Sequence, residues 1–141
     1  MKPSDILFRA KLLDSDYRHG EPVPKGTWFT GWDYQLQLVT EAQHRLVLPR
    51  EKGFQGQSEM DIDPDTLCQF TGLHDANGKP IFQGDIIKDE IGEIYEVCWY
   101  DDLAAFMAEM VCNQKPFMIY DISPKKCKII GNVFDNPELL K

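Results

Sequence analysis

The sequence is short of basic residues, of paired-cysteine motifs and of long apolar runs, and each shortage argues against a class of function. Lysine and arginine number 15 against 23 aspartates and glutamates in 141 residues, a formal net charge of −8. The acids are spread along the chain rather than gathered in a tail. A field of that sign repels a phosphate backbone, so nucleic acid is disfavoured as a partner unless a local basic patch overrides it. Lys125-Lys126 with Lys128 is a short candidate for such a patch. The cysteines, Cys68, Cys98, Cys112 and Cys127, form no Cys-x-x-Cys, so zinc-ribbon and finger spacings are absent. No stretch approaches the ~20 apolar residues of a membrane-crossing helix. The opening Met1-Lys2-Pro3-Ser4-Asp5 leads to an apolar run too short for a secretory signal. We expect a cytoplasmic protein with reduced thiols and no membrane association.

What is present suffices for a packed core: 43% of residues are hydrophobic and 11% aromatic, so neither disulfide nor metal is needed to fold. Ile6 to Leu13 alternate loosely and read as a strand with one wetted face. Asp14 to Gly26, with Gly20, Pro22, Pro24 and Gly26, reads as a long loop. Thr27 to Trp32 is β-compatible. Tyr34, Leu36 and Leu38 alternate with Gln35 and Gln37 as a half-buried strand, and Arg45 to Leu48 is a short strand ended by Pro49. Arg50 to Ser58 reads as an exposed loop and a seam. Thr66 to Gly72, Ile81 to Lys88, Glu93 to Tyr100, Phe117 to Ile122 and Lys128 to Phe134 read as strands; Tyr95, Val97 and Trp99 share one face of theirs. Leu103 to Val111 (LAAFMAEMV) fits helix by propensity and strand by its neighbours. Near the end, Asn136 can cap a terminal turn that begins at Pro137.

The candidate chemistry competes at each point with a plainer reading. Asp61-x-Asp63-x-Asp65 opens like a calcium loop, but Thr66 stands where that loop needs its glycine and Gly72 where it needs a bidentate glutamate. A solvated turn fits better. His19, His44 and His74 are isolated; His74 adjoins Asp75, but sequence neighbours on a strand point apart, which argues against a dyad. At least three of the four cysteines are expected to act as small buried hydrophobes. Trp28, Trp32 and Trp99 at β spacing suit a core better than a stacking platform for single strands. No Rossmann or P-loop pattern is present. The residues point to no catalytic residue, cofactor or metal.

The most informative stretch is Gln69 to Ile87, QFTGLHDANGKPIFQGDII. Asn77-Gly78 between two β-compatible runs signals a hairpin with a type I′ turn, which needs positive φ at both central residues. Asp75 can accept bonds from the turn's amides. Pro80 starts the second strand, where the missing donor is tolerated. Gly84-Asp85 marks a second punctuation, where glycine can let a strand bulge and bend. Gly72, Asp75, Asn77, Gly78, Gly84 and Asp85 are thus read as backbone-shaping residues rather than as an active site.

The run Thr71-Gly72-Leu73-x-Asp75-x-Asn77-Gly78-Lys79-x-Ile81-Phe82-x-Gly84-Asp85-Ile86-Ile87 closely resembles the signature of the YopX family of phages and prophages. Ile6-x-Phe8-Arg9-Ala10 is similar to the family's opening, and Ile130 to Leu140 (IGNVFDNPELL) to its closing motif. Trp99 to Ser123 and the loop Arg50 to Met60 follow no pattern that aligns. The resemblance implies a mainly β protein, β-rich α+β with few short helices. An N-terminal β-rich portion, residues 1–58, would precede a C-terminal SH3-like small barrel, residues 59–141. It also implies a cytoplasmic, self-associating protein, and it brings no catalytic residues. The leading expectation is a non-enzymatic accessory protein acting through protein–protein contacts as a homo-oligomer or regulatory module. The alternatives are a nucleic-acid-associated protein of phage replication or transcription, and an acidic DNA mimic.

Overall fold

The computed structural model describes residues 6–38, 42–48 and 58–141. The fold is mainly β. The chain divides into two compact units, Met1–Gln69 and Phe70–Lys141, and the division falls within a single strand.

In the N-terminal unit, β1 (Phe8–Lys11) pairs antiparallel with β4 (Trp28–Gly31) and, at Phe8 and Arg9, with Gln69 and Cys68 at the start of β8 (Cys68–His74). The segment read as a loop between them holds a hairpin, β2 (Asp16–Arg18) with β3 (Glu21–Val23). Its two central residues, His19 and Gly20, have φ of 52° and 79°, the type I′ signature. Pro22 is tolerated because β3 pairs on one side. The strands β5 (Asp33–Leu38), β6 (Ala42–Leu48) and β7 (Ser58–Asp61) form a three-stranded meander. Ala10, Leu12, Leu46, Leu48, Met60 and Ile62 build the core. Pro49 and nearly all of the loop expected over Arg50 to Ser58 lie outside the described residues.

In the C-terminal unit, β8 continues from Phe70 and pairs with β9 (Pro80–Phe82). A five-stranded antiparallel sheet follows. Its strands are β10 (Asp85–Lys88), β11 (Ile94–Tyr100), β12 (Ala105–Met110), β13 (Pro116–Met118) and β14 (Lys128–Asn132), in the order β13-β12-β11-β10-β14. It curls into a half-barrel. The period-2 pattern sends Tyr95 and Val97 inward beside Ile87 and Ala108, while Trp99, at the end of the same face, is 42% exposed. Burying side chains such as Ile87 and Val97 contributes roughly 1.5–3 kcal/mol each.

Leu103 to Val111 resolves in favour of strand. Asp101–Leu103 makes a 3-10 turn, Ala104 takes φ 46°, and all six residues of β12 pair with β11 from Tyr100↔Ala105 to Tyr95↔Met110. Ladder formation outweighs the helix propensity of alanine and methionine. The strand expected over Phe117 to Ile122 is shorter: β13 ends at Met118, and Ile119–Ile122 is a 3-10 turn. The single strand expected over Ile81 to Lys88 is divided by a turn at Gln83-Gly84.

Candidate functional site

The signature residues converge on the backbone. β8 carries two extra residues against β9 between Phe70 and His74, and Gly72 absorbs the distortion at φ 85°. The Thr71 hydroxyl spans the bulge, donating to the Ile81 carbonyl at 2.7 Å and accepting from Leu73 N–H at 3.2 Å.

The turn that follows differs from the type I′ expected at Asn77-Gly78. Asn77 keeps a negative φ, and only Gly78 is positive, at 76°. Gly78 N–H donates to the Asp75 carbonyl at 3.0 Å, and Asp75 N–H to the Lys79 carbonyl at 2.9 Å. That is a type I turn closed by a glycine bulge, the usual three-residue hairpin loop. Aspartate at its first position decides the outcome. Asp75 Oδ1 accepts from Asn77 N–H at 2.8 Å and Lys79 N–H at 2.9 Å, and Oδ2 from Ile129 N–H at 3.1 Å. Ala76 N–H adds a bond to the Cys127 carbonyl at 2.8 Å. The carboxylate, 4% exposed, therefore fastens the hairpin to β14. Burial pushes its pKa up, but the three N–H donors outweigh that and hold it below the ordinary value.

Gly84 does not bulge a strand. It sits in the turn at φ 85°, donates to the Val97 carbonyl at 2.7 Å and accepts from Val133 N–H at 2.8 Å. Asp85, 1% exposed, accepts from Phe82 N–H at 2.8 Å. The bulge of this sheet lies in β14, where Ile130 is extra between Gly131 opposite Ile86 and Ile129 opposite Ile87. Asn136 does not cap the terminal turn Pro137–Leu140. Its Oδ1 accepts from Asn132 N–H at 3.2 Å, close over Gly131, where an added Cβ would lie 2.5 Å from that oxygen. Asn132 Oδ1 in turn accepts from Phe134 and Asp135 N–H.

The other sequence candidates have structural partners. Asp61 meets Arg45 at 3.1 Å, and Asp63 accepts from Asp65 N–H at 3.0 Å. Among the described residues no group of three His, Cys, Asp or Glu side chains could hold a metal. His74 is exposed, edge-on to Phe70 at 5.4 Å. The core expected of the tryptophans is not formed: Trp32 and Trp99 are exposed, Trp28 is half-buried under Arg9 and Lys11, and Trp99 is edge-on to Phe106 at 5.0 Å, at the end of its strand beyond the packed core. The cysteine expectation is corrected: Cys68 and Cys127 are buried, Cys98 is half-buried and Cys112 is exposed. Cys112 follows the end of β12 in a turn, where no core reaches it. Burial pushes the Cys98 and Cys127 thiols up to about 11, so both stay protonated and unreactive near neutral pH.

A concave surface lies where the motif meets Tyr120, at the end of the strand expected over Phe117 to Ile122, and Ser123 to Lys126, which fall between two expected strands. A groove of about 660 Å³ is lined by Leu73, His74, Tyr120, Pro124, Lys125 and Lys126. Tyr120 is 64% exposed. Beside it a second groove of about 500 Å³ carries Lys88, Lys125, Lys126 and Lys128, with Asp89 and Glu90. Ser123, at φ 54°, joins two 3-10 turns, Ile119–Ile122 and Pro124–Lys126. A non-glycine residue held there costs of order 1 kcal/mol and persists because the flanking turns fix it. The Ser-Pro-Lys-Lys punctuation was the available sequence signal for this turn.

These features define a mainly β chain of two compact units, whose signature residues serve the backbone and whose grooves surround a lysine-bearing turn. The chain belongs to the YopX family: the family model described as YopX protein matches residues 25–141. Comparison with curated proteins finds no match. Among the described residues no helix is long and apolar enough to cross a membrane.

Proposed function

We propose that this chain is a non-enzymatic interaction or regulatory module, a cytoplasmic accessory protein of phage or prophage origin. Its C-terminal half-barrel is the recognition element, read more finely as an SH3-like barrel. The observation that carries the reading is the groove with Leu73, Tyr120 and Pro124 as its apolar floor and Lys125 and Lys126 at its rim. Apolar walls with a few polar groups suit a short extended segment that offers an apolar anchor beside acidic residues. The carboxylates of Asp75 and Asp85 are engaged with backbone amides, which suits a scaffold role for these two signature residues beside the groove.

Selection from a displayed peptide library tests this. Enriched sequences should share an apolar residue next to acids. Tyr120→Ala should weaken them about tenfold, as loss of an aromatic anchor does, and Lys126→Glu should weaken them further. Enrichment that is the same on the Tyr120→Ala protein would sink the reading. A second reading, nucleic acid, is favoured by the four lysines of the neighbouring groove. A gel-shift series across salt separates the two, since phosphate contacts weaken steeply as salt rises. No shift at low salt ends it.

A further inference from the structure

The second groove brings like charges together. Lys88, at the end of β10, stands directly opposite Lys128, at the start of β14, so their exposed side chains share one face. Like charges opposed across strands destabilise a sheet. Lys125 and Lys126 reach the same groove from the 3-10 turn Pro124–Lys126. Among the described residues none of these four ammonium groups has an ion pair or a hydrogen bond. Of the two acids in the lining, Asp89 is already engaged. Its Oδ1 accepts from Ile91 N–H at 3.1 Å and Glu93 N–H at 2.9 Å, and its Oδ2 from the Tyr95 hydroxyl at 3.1 Å. Glu90, which is exposed, is the acid left to answer the lysines.

The frame beneath the lysines is fixed by the signature. Ala76 N–H donates to the Cys127 carbonyl at 2.8 Å and Ile129 N–H to Asp75 Oδ2 at 3.1 Å, while Cys127 N–H closes on the Pro124 carbonyl at 3.0 Å. These bonds hold the segment that carries Lys125, Lys126 and Lys128. The lining residues carry +2, four lysines against Asp89 and Glu90, so the rest of the chain carries −10. A long polyanion leaving the groove would cross a repelling surface, whereas a compact anion would not.

We propose that this groove binds a compact oligophosphate, two or three linked phosphates either free or as the tail of a nucleotide. Lysine serves phosphate as a point charge, and several converging lysines match an anion whose charge is concentrated in a small volume. The groove, about 500 Å³, is of ligand-pocket size. The anion supplies the counter-charge that the opposed Lys88 and Lys128 lack. The proposal is independent of the peptide reading of the first groove, because Lys88 and Lys128 line the second groove and not the first.

Calorimetric titration with inorganic tripolyphosphate tests the site, without divalent cations and at about 50 mM salt to limit screening. Saturable binding with a Kd below about 1 mM is expected. Lys88→Gln and Lys128→Gln should each weaken it about five- to tenfold. The Tm of each unliganded variant should rise by roughly 1–4 °C, because the opposed pair is gone. Glu90→Gln should tighten binding. ATP distinguishes the two sources: equal affinity assigns a free oligophosphate, and a tighter fit that is lost in Tyr120→Ala assigns a nucleotide with its base on that ring. No saturable binding, equal binding of sulfate at matched ionic strength, an affinity unchanged in Lys88→Gln, or a Tm that falls together with the affinity would overturn the proposal. A single-stranded oligonucleotide that binds more tightly than tripolyphosphate at equal phosphate concentration would overturn it too, and would leave the nucleic-acid reading standing. Peptide selection on the Lys88→Gln protein tests the first groove separately.

Discussion

In the N-terminal unit the described ion pairs join side chain to side chain: Arg45 reaches Glu59 and Asp61, each at 3.1 Å, on an open sheet face. In the C-terminal unit the polar residues of the motif reach buried backbone instead, as Thr66 does for Lys11 N–H in the N-terminal unit. Asp75 accepts from three amides, Asp85 holds Phe82, and Asn132 and Asn136 close the chain after β14. The first arrangement tolerates exchange, because water replaces either partner. The second does not, because a buried N–H has no other acceptor. In the motif of the C-terminal unit, the identities of Asp75 and Asp85 are tied to bonds with the main chain.

Asp75→Ala breaks the comparison most severely. It removes two acceptor oxygens, and with them three hydrogen bonds, and strands the Ile129 amide, a loss of about 3 kcal/mol in urea unfolding. Asp75→Asn, with one acceptor oxygen, should fall between, keeping the hairpin or the β14 link but not both. Arg45→Ala should leave the midpoint nearly unchanged. The pH dependence follows from the lowered Asp75 pKa. A depressed folded value gives stability that is present above the ordinary value of 3.8 and lost as pH falls through the folded one. The gap between wild type and Asp75→Asn should therefore narrow as the solution is acidified below 3.8. A constant gap would show that the carboxylate is not the anchor.

Two glycines sharpen the same contrast at a smaller scale. A Cβ on Gly31 would lie 2.4 Å from the Val47 carbonyl oxygen, which is backbone and cannot turn away. The atoms nearest a Cβ on Gly131 belong to the Asn136 side chain, the first at 2.5 Å. Gly31→Ala should cost about 3 kcal/mol with no simple rescue, and Gly131→Ala about 1–2 kcal/mol. Adding Asn136→Ala to the latter should recover part of the loss, a coupling visible in a double-mutant cycle. Independent, additive losses would mean that Asn136 does not sit over Gly131.

What the sequence disclosed follows the range of the forces involved. The hairpin around Asp75 was legible because aspartate, glycine and their spacing act locally; even so, the turn type came out differently, since Asp75 gathers amides that a two-residue loop cannot supply. The His19-Gly20 turn was illegible because nearby Gly and Pro residues mask two three-residue strands. Leu103 to Val111 could not be settled, since its strand exists only by pairing with β11. The grooves were beyond reach for the same reason. Leu73 and His74 meet the Pro124–Lys126 turn through Asp75 to Ile129 and Ala76 to Cys127, bonds between residues about fifty apart in sequence. No local pattern encodes such a juxtaposition. Leu36 and Leu38 correct the half-buried strand expected there: the strand forms, but both side chains are exposed because the core ends at Tyr34.

The smallest test concerns an imperfect match in the C-terminal unit. Glu96 and Glu109 stand directly opposite each other on β11 and β12, and Tyr100 donates to Glu109. Burial, with Glu109 adding to it, raises the Glu96 pKa above the ordinary 4.5. A raised carboxyl gives stability that is fully present below the ordinary value and lost as pH rises through the folded one. Glu96→Gln removes that loss. At neutral pH the variant should be more stable by roughly 0.2–1 kcal/mol, the usual penalty for like charges opposed across strands. The advantage should shrink toward zero as pH drops below 4.5. An advantage that persists in acid would mean that side-chain packing, rather than charge, separates the two proteins.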